Sequence, residues 1–382
     1  MNPTSIVSLL FVSVSLTLGL AMAQPAGNSE VAASKGTHLR APLPRIPTVH
    51  RRSSPSECNG YSDLCDRQFN LVAFPTTHNS FASGDNIAAN QNKDIMQQLD
   101  DGIRGFMLDL HNSSSNSLFS RDSSSGPYLC HTSCILLNDG PLTTTLGYFT
   151  TFLDAHKDEV ITIFLENDDK FSATTIQQSF KDAGLDKYAY TPTGASSDGS
   201  YTWPTLADMI SQNKRLVVLV DSNSNTKDVP WLVYDRDYAV QTPYTVGVGS
   251  SFDCRLISSS RPLLVMNHFV FSNYSVLNMN VEKPSPDTAS TVNTRQSLVD
   301  QANVCGSAGQ FPNFVTVDFY DVGGLFQAVA DINKVQYTST SLSTDFGTGS
   351  DSSTTSGASA RALPMAALST ALLTVAALAL LV

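Results

Sequence analysis

The sequence predicts an α/β protein in which seven or eight strand–helix units close into a (β/α)8 barrel. Between residues 53 and 335, short apolar runs alternate with stretches of helical periodicity, without a low-complexity break or a fixed-period repeat. Seven or eight such units in roughly 280 residues fit a closed barrel better than an open sheet. Several of the apolar runs also end in polar side chains, as barrel strands do where they reach the mouth.

The predicted strands are short, apolar and rich in β-branched or aromatic residues. In chain order they cover residues 69–75, 105–110, 160–165, 216–220, 263–266 and 314–317. The predicted helices place apolar residues three or four positions apart. They cover residues 91–101, 142–157, 174–183, 205–212, 291–304 and 324–333. Residues 229–246 should supply a further strand, but they show no clear period.

The two ends of the chain have the composition of targeting signals. Residues 1–23 predict a secretory signal peptide, because an uncharged apolar run precedes Ala21-Met22-Ala23, a small-residue cleavage pattern. A signal anchor is the alternative, but the apolar run is too short to span a bilayer comfortably. Residues 24–52 are proline-rich and basic, and they predict a disordered linker or a removed pro-segment.

At the other end, residues 336–361 form a Ser/Thr-rich stalk and residues 362–382 a hydrophobic tail with nothing charged after it. This order is typical of a GPI-attachment signal, and a tail-anchored helix is the alternative. We therefore expect an extracellular protein at the cell surface, anchored through GPI to the plasma membrane or cell wall.

The charge balance argues against a nucleic-acid partner. The chain carries 23 lysines and arginines against 34 aspartates and glutamates, a formal net charge of −11. The excess is concentrated between residues 53 and 335, because residues 24–52 are basic and the last thirty residues hold only Arg361. Such a surface repels polyphosphate. The oligomeric state is not indicated by the sequence.

The cysteine pattern predicts disulfide bonds. All six cysteines lie between the end segments: Cys58, Cys65, Cys130, Cys134, Cys254 and Cys305. An even number in an exported chain indicates disulfides rather than metal thiolates. The two closely spaced pairs suggest local loops, Cys58 with Cys65 and Cys130 with Cys134, leaving Cys254 with Cys305, although six cysteines allow fifteen pairings. Asn112 and Asn273 lie in N-glycosylation sequons.

Polar residues follow four of the apolar runs. His78 and Asn79 come after the strand at 69–75, Asp109 ends the strand at 105–110, and Glu166 follows the strand at 160–165. His131 ends a short apolar segment beside a cysteine. Because the carboxyl ends of barrel strands gather at one mouth, we expect these side chains to lie there together.

Two histidines and several carboxylates at one mouth suit the cleavage of a phosphodiester. A neutral imidazole takes a proton from the attacking hydroxyl, and a protonated one gives a proton to the leaving oxygen. Asn79, Asp109 and Glu166 offer hard oxygen ligands for Ca²⁺ or Mg²⁺. Asp318 and Asp221 also follow predicted strands, and we expect Asp318 to orient a histidine.

Two further residues near strand ends have other expected roles. Arg104 lies at the start of its strand, so we expect it in a structural ion pair at the far end of the barrel. His268 follows a buried strand and is a candidate to line the mouth. Taken singly, each candidate site residue also has an ordinary explanation as a surface histidine or a helix-capping aspartate.

Four ordered motifs carry a family resemblance. They are PTTHNSF at 75–81, GIRGFMLD at 102–109, LCH at 129–131 and ITIFLE at 161–166. In this order they resemble the X domain of phosphatidylinositol-specific phospholipases C, and most closely the secreted PLC-like phosphodiesterases of fungi and plants. The resemblance spans roughly residues 58–326. It implies an irregular TIM barrel, in agreement with the alternation of strands and helices.

The resemblance also implies roles for the site residues. His78 would be the general base that activates the inositol 2-hydroxyl, and His131 the general acid that protonates the departing diacylglycerol oxygen. Asn79, Asp109 and Glu166 fall where the eukaryotic enzymes hold Ca²⁺. The substrate would be a phospholipid or a GPI-type lipid.

One position departs from the pattern that this family shows. The eukaryotic enzymes carry a glutamate two residues before the aspartate, where this chain has Met107, and the metal-independent bacterial enzymes carry an arginine where this chain has Asp109. A Ca²⁺ or Mg²⁺ site would therefore be weak, and a site without a metal ion is the alternative. Two alternatives stay open: a non-catalytic GPI-anchored surface or wall glycoprotein on a retained barrel, and a phosphodiesterase of the glycerophosphodiester or sphingomyelinase-D-like type.

Overall fold

The protein, seen in a computed structural model, is described over residues 55–113, 126–192, 201–276 and 279–339. Side chains of residues 273–276 and 279–282 are outside this description. The predicted signal peptide at 1–23, the segment at 24–52, the hydrophobic tail at 362–382 and the stalk beyond residue 339 lie outside the described residues. No helix within the described ranges is both long and apolar enough to span a bilayer.

The described elements are strands β1–β12 and helices α1–α8. The strands are β1 (Phe74–Thr77), β2 (Gly105–Asn112), β3 (Pro127–His131), β4 (Leu137–Pro141), β5 (Ile161–Glu166), β6 (Leu216–Val220), β7 (Leu232–Tyr234), β8 (Ala239–Gln241), β9 (Leu263–Asn267), β10 (Phe271–Val276), β11 (Met279–Pro284) and β12 (Pro312–Val317). The helices are α1 (Ile95–Asp101), α2 (Leu142–Ala155), α3 (Ala173–Asp182), α4 (Leu206–Ser211), α5 (Asp235–Tyr238), α6 (Ala289–Val292), α7 (Arg295–Ser307) and α8 (Leu325–Asn333).

Eight parallel strands form the curled main sheet, in the order β7-β6-β5-β2-β1-β12-β9-β8. All the neighbours in this order pair in parallel. The two end strands, β7 and β8, are joined in sequence by the short helix α5. The fold is therefore the predicted irregular (β/α)8 barrel, with a seam between its two shortest strands.

Two hairpins interrupt the strand–helix alternation. Strand β2 runs beyond the barrel and pairs antiparallel with β3, which pairs in turn with β4. His131 ends β3, so it is carried by an antiparallel hairpin at the mouth and not by a barrel strand. A second hairpin, β10 with β11, follows β9. The sequence analysis predicted neither hairpin.

Alternation along β2 determines which side chains face the barrel interior. Successive residues of a strand point to opposite faces of the sheet. Phe106 packs outward on α2, with its ring centroid 4.8 Å from that of Phe149. Met107 packs against the interior cluster that contains Phe164 and Phe314. Asp109 shares the face of Met107 and therefore lies at the inner edge of the mouth.

The amino ends of the strands form the base of the barrel. There Arg104 donates from Nε to Glu159 Oε2 over 2.6 Å, and both side chains are buried, which gives the expected ion pair. Asn333, at the end of α8, exchanges two 2.8 Å hydrogen bonds with the backbone of Ala73, directly before β1. A cavity of about 560 Å³ lies at this end, lined among others by Phe74 and by residues 337–339. The described chain thus ends at the base.

The three predicted disulfide bonds are all present. They join Cys58 to Cys65, Cys130 to Cys134 and Cys254 to Cys305, so that every cysteine is paired. The first closes a loop at the base of the barrel, and the intervening Tyr61 and Leu64 line the cavity there. The second closes a short loop that contains the general-acid candidate His131. The third ties α7 to the segment before β9.

Candidate active site

His78 and Asp318 form a pair at the mouth. Strands β1 and β12 are neighbours, and each of these residues directly follows its strand. His78 Nδ1 lies 2.9 Å from Asp318 Oδ1, and their side chains are 25% and 8% exposed. Because the carboxylate accepts, Nδ1 carries the proton and Nε2 is left as the accepting nitrogen. This contact is the one that the predicted role of Asp318, orienting a histidine, requires.

Each of the three predicted catalytic residues is followed by a residue in the left-handed region. Asn79 has φ 41°, Thr132 has φ 61° and Phe319 has φ 50°, directly after His78, His131 and Asp318. A β-branched or bulky residue adopts this conformation at a cost on the order of 1–3 kcal/mol. Backbone strain of this kind concentrates at functional sites, and Thr132 and Phe319 have it directly after His131 and Asp318, whereas asparagine tolerates the left-handed region at position 79.

Two buried amides hold the pair in place. Asn90 donates from Nδ2 to Asp318 Oδ1 over 3.0 Å, and its Oδ1 lies 3.2 Å from Nδ2 of Asn79. Gln91 donates from Nε2 to the carbonyl of His78 over 2.7 Å and to that of Val317 over 3.2 Å. Both amides are almost fully buried. Asn90 thus holds the Asp318 carboxylate in position, and Gln91 holds the backbone of His78.

An aromatic ring covers one face of the His78 imidazole. Phe269, two residues beyond the end of β9, lies parallel to it at 4° with the centroids 4.0 Å apart. The phenyl ring is buried and restricts rotation of the imidazole. Its π-face also favours a positively charged ring, which is the form that His78 takes when it accepts a proton.

His131 approaches the same group of residues from the hairpin. Its Nδ1 donates to the carbonyl of Ala88 over 2.6 Å, and its Nε2 lies 3.1 Å from the side-chain amide of Asn79. Burial lowers the pKa of His131 from 6.5, against the opposing effect of the Ala88 carbonyl. The two histidines are thus connected through Asn79 and Asn90.

Asp109 is a buried carboxyl among other carboxyls. It is 6% exposed, and its strand neighbour in register is Glu166. Burial raises the pKa of Asp109 well above its ordinary value, and the charges of Glu166, Asp168 and Asp221 raise it further. A buried carboxyl in such surroundings is stabilised either by taking up a proton or by a nearby cation.

The amide of Asn79 fits two arrangements beside Asp109. With its nitrogen toward His131, its oxygen lies 3.1 and 3.2 Å from the two carboxylate oxygens, and three oxygens converge as hard ligands of a cation do. Turned over, its nitrogen donates to both carboxylate oxygens and its oxygen accepts from Nε2 of His131. Within the described ranges, no three or more His, Cys, Asp or Glu side chains are placed to hold a metal ion.

Other residues that the sequence analysis named make structural contacts or lie elsewhere. Asp221 accepts from the backbone nitrogen of Asn167 over 2.9 Å, which is a structural contact. The expectation that His268 lines the mouth is wrong: it is fully buried, its Nδ1 lies 2.6 Å from Gln301 Oε1, and burial lowers its pKa. Asn112 is exposed at the end of β2, whereas the side chain of Asn273 lies outside the described residues.

The sequence analysis missed Asn90, Gln91 and Phe269. The two amides form a polar pair directly after two alanines, and the predicted helix at 91–101 included Gln91 as its first residue. Only the long-range contacts with Asp318 and His78 identify them as part of the site. Phe269 had no signal, because an aromatic residue after a buried strand is most often part of the core.

Comparisons with known proteins identify the family. The family model PI-PLC_X, described as PI-PLC X 1, matches residues 64–333. A protein of Arthroderma benhamiae named PI-PLC X domain-containing protein 1 is 30% identical over 289 residues, which are 72% of this chain and 89% of that protein. A second Arthroderma protein, named an uncharacterized secreted protein, is 28% identical over 297 residues, 73% of this chain and 64% of that protein.

Among solved structures, the phosphatidylinositol-specific phospholipase C of Listeria monocytogenes is similar at 15% identity, with a TM-score of 0.44. The match covers 72% of this chain and 96% of that enzyme.

Proposed function

Because the chain belongs to the PI-PLC X domain family, we propose that it is an exported phosphodiesterase of the phospholipase C type. Its substrate class is phosphatidylinositol or a related glycerophosphodiester lipid. The observation that carries this proposal is the His78–Asp318 pair, with 2.9 Å between Nδ1 and Oδ1, at the mouth that also holds His131.

His78 acts as the general base. Its Nδ1–H is held by Asp318, so Nε2 takes the proton of the inositol 2-hydroxyl while that oxygen bonds to phosphorus. The imidazolium that forms is stabilised by the Asp318 carboxylate and by the face of Phe269. Asn90 keeps the carboxylate directed at Nδ1 as the charge develops.

His131 acts as the general acid. The bond from phosphorus to the diacylglycerol oxygen breaks, and the proton on His131 Nε2 moves to that oxygen. The products are a cyclic inositol phosphate and diacylglycerol, without water in this step. Nε2 contacts the Asn79 amide in the free protein, so the donating nitrogen turns to the substrate when a phosphate arrives. An anionic phosphate also raises the pKa of His131 and supplies the protonated form.

A divalent cation, Ca²⁺ or Mg²⁺, is proposed beside these residues. Asn79 Oδ1, Asp109 and Glu166 would hold it, and it would offset negative charge on the phosphate. The Met107 position supplies no carboxylate, so the affinity is low. Titration calorimetry with Ca²⁺ tests this: weak binding that disappears in Asp109→Ala supports the site, and equal binding by the variant contradicts it.

Export and anchoring belong to the same proposal. The three disulfides fit an oxidising compartment, and one relative bears the name of a secreted protein. The signal at 1–23 would direct export, and residues 362–382 would be exchanged for a GPI anchor. Release of the protein from intact cells by an enzyme that cleaves GPI anchors tests the second point.

The activity is tested with purified protein and phosphatidylinositol vesicles. We expect release of cyclic inositol phosphate, reduced at least about 100-fold in His78→Ala and in His131→Ala. His156→Ala is the matched control, because that histidine lies at the base of the barrel and lines the cavity there. Equal release by the unmodified protein and His78→Ala contradicts the proposal. It would favour the non-catalytic surface glycoprotein, which the missing carboxylate at Met107 also suits.

A further inference from the structure

His131 lies inside the shortest loop that a disulfide closes in this protein. Cys130 and Cys134 are 4 positions apart, whereas the other two disulfides span 7 and 51 positions. The stabilisation that a disulfide gives the folded state grows with the length of the loop that it closes, because a longer loop loses more freedom in the unfolded chain. Of the three bonds, this one therefore contributes least to overall stability, and stability alone does not account for its place around His131.

The backbone inside this loop is bent into a tight turn. The nitrogen of Ser133 donates to the carbonyl of His131 over 2.6 Å, which is the hydrogen bond of a three-residue γ-turn. Its central residue, Thr132, has φ 61°, a region that a β-branched side chain rarely adopts. Such a turn is strained and persists only where its surroundings hold it. The disulfide joins the residue before this turn to the residue after it.

The disulfide ties the turn to a buried strand. Cys130 is fully buried in β3 and pairs with Asn138 of β4. Cys134 is half-buried in the loop between these two strands. Without the bond, this loop would be held only by its hydrogen bonds, against the strain at Thr132.

The same loop supports the contact that orients the imidazole of His131. The nitrogen of Leu136 donates to the carbonyl of Ser133 over 3.0 Å, and its carbonyl accepts from Asn86 Nδ2 over 3.1 Å. Asn86 Oδ1 accepts from the nitrogen of Ala88 over 2.9 Å, and the Ala88 carbonyl accepts from His131 Nδ1 over 2.6 Å. The imidazole is therefore held at two points, through its own backbone and through Nδ1, and the disulfide supports both.

We propose that the disulfide between Cys130 and Cys134 positions the imidazole of His131, so that the general acid is aligned only while this bond is formed. The inference rests on the proposed function, in which His131 protonates the leaving oxygen. The two cysteines are positioning residues, since they act through His131. When the bond is opened, the turn at Thr132 relaxes, and Nε2 of His131 reaches the leaving oxygen in only a small fraction of molecules. The chain is thus fully active only in an oxidising compartment.

A substrate that needs no acid tests the proposal. The diacylglycerol oxygen of phosphatidylinositol is a poor leaving group and needs a proton, whereas 4-nitrophenolate is a stable anion and leaves without one. Cys134→Ser should lower kcat about 10- to 100-fold with phosphatidylinositol, but less than about threefold with 4-nitrophenyl inositol phosphate. KM should stay within about twofold for both substrates, because the acid acts after binding.

Cys65→Ser is the matched control. It opens the other short disulfide, which lies at the base of the barrel, and it should leave kcat for both substrates unchanged. Melting temperatures are measured on the same preparations. If the free thiol of Cys130 impairs folding of Cys134→Ser, the double variant Cys130→Ala/Cys134→Ala removes both thiols and carries the same expectations.

A readout without catalysis separates this inference from the proposed function. The Nδ1 proton of His131, bonded to the Ala88 carbonyl, should give a downfield, slowly exchanging NMR signal that His131→Ala lacks. The signal should disappear in Cys134→Ser and persist in Cys65→Ser. If it does so but the parent protein cleaves neither substrate, only the proposed function fails.

Several results would overturn the proposal. One is an unchanged kcat in Cys134→Ser with phosphatidylinositol, and another is an equal loss with both substrates, which would indicate general damage to the site. A loss in Cys65→Ser as large as that in Cys134→Ser would also overturn it. So would absence of the NMR signal from the parent protein or its persistence in Cys134→Ser.

Discussion

Replacing Asp318 by asparagine removes a charge from the site with little change of shape. Both donors that reach this carboxylate, His78 Nδ1 and Asn90 Nδ2, bond to the same atom, Oδ1. An amide oxygen can accept both bonds in the same place. Asp318→Asn should therefore keep the orientation of the imidazole and lose only the negative charge that stabilises it when protonated.

The size of the effect follows from the contact. A hydrogen bond to a charged group contributes about 1.5–3 kcal/mol, roughly twice a neutral one. The pair is 2.9 Å long and the carboxylate is 8% exposed, so solvent screens it little. The charge-dependent half of that, about 0.75–1.5 kcal/mol, is lost when the imidazolium forms, which should lower kcat about 4- to 13-fold. KM should stay nearly constant, because the neutral imidazole of the ground state is oriented as before.

The assay is the rate of inositol phosphate release from phosphatidylinositol vesicles, with the melting temperature measured on the same preparations. Asp321→Asn is the matched control, since Asp321 is exposed and its Oδ1 accepts from the surface residue Asn92 over 3.0 Å. It should keep full activity. A loss of less than about threefold in a well-folded Asp318→Asn would refute the charge argument. An equal loss in Asp321→Asn would show that the effect is not local.

Three further predictions follow. If the His131 imidazolium is the general acid, the active form is lost as the pH rises through the lowered pKa of His131. A plot of log(kcat/KM) against pH should therefore fall with a midpoint below 6.5. A midpoint above 7 contradicts this prediction. Asp109→Asn should raise the melting temperature at pH 7 in the absence of divalent cations, because a carboxyl whose pKa is raised on folding destabilises the folded state above its ordinary pKa. This gain in melting temperature should vanish below about pH 4. A lower melting temperature at pH 7 refutes the prediction. Glu159→Gln should lower the free energy of unfolding by about 3–5 kcal/mol in urea titrations, since it leaves buried Arg104 without its counter-ion. A change under about 1 kcal/mol would show that the ion pair is not needed for stability.

The sequence analysis was most accurate for strands in which every residue is buried. The run at 216–220 is apolar throughout, and β6 has the same bounds because all of its residues are buried. Residues 69–71 were expected in a strand, but they form a 3₁₀ turn whose Phe69 packs on Trp203 and Phe74 at the base. Between residues 229 and 246, β7 and β8 have three residues each, which is too short to show a period.

The candidate site shows the same limit. His78, Asp109 and Glu166 were placed at the mouth, because a residue at a strand end needs only the strand to be found. His131 was placed correctly near them for the wrong reason, since the antiparallel pairing of β3 with β2 depends on contacts across the chain. Asn90 is separated from its partner Asp318 by 228 positions in the sequence, and no local sequence pattern predicts a hydrogen bond between residues so far apart.

The described chain ends at the base of the barrel, and this position bears on which membrane the proposed active site would face. Asn333 is bonded to Ala73 at the start of β1, while His78 follows the end of β1, about 16 Å further along the strand. With the proposed anchor beyond residue 339, an upright molecule would hold its catalytic opening away from the bilayer to which it is attached. It would then meet the lipids of a facing membrane, vesicle or neighbouring cell first.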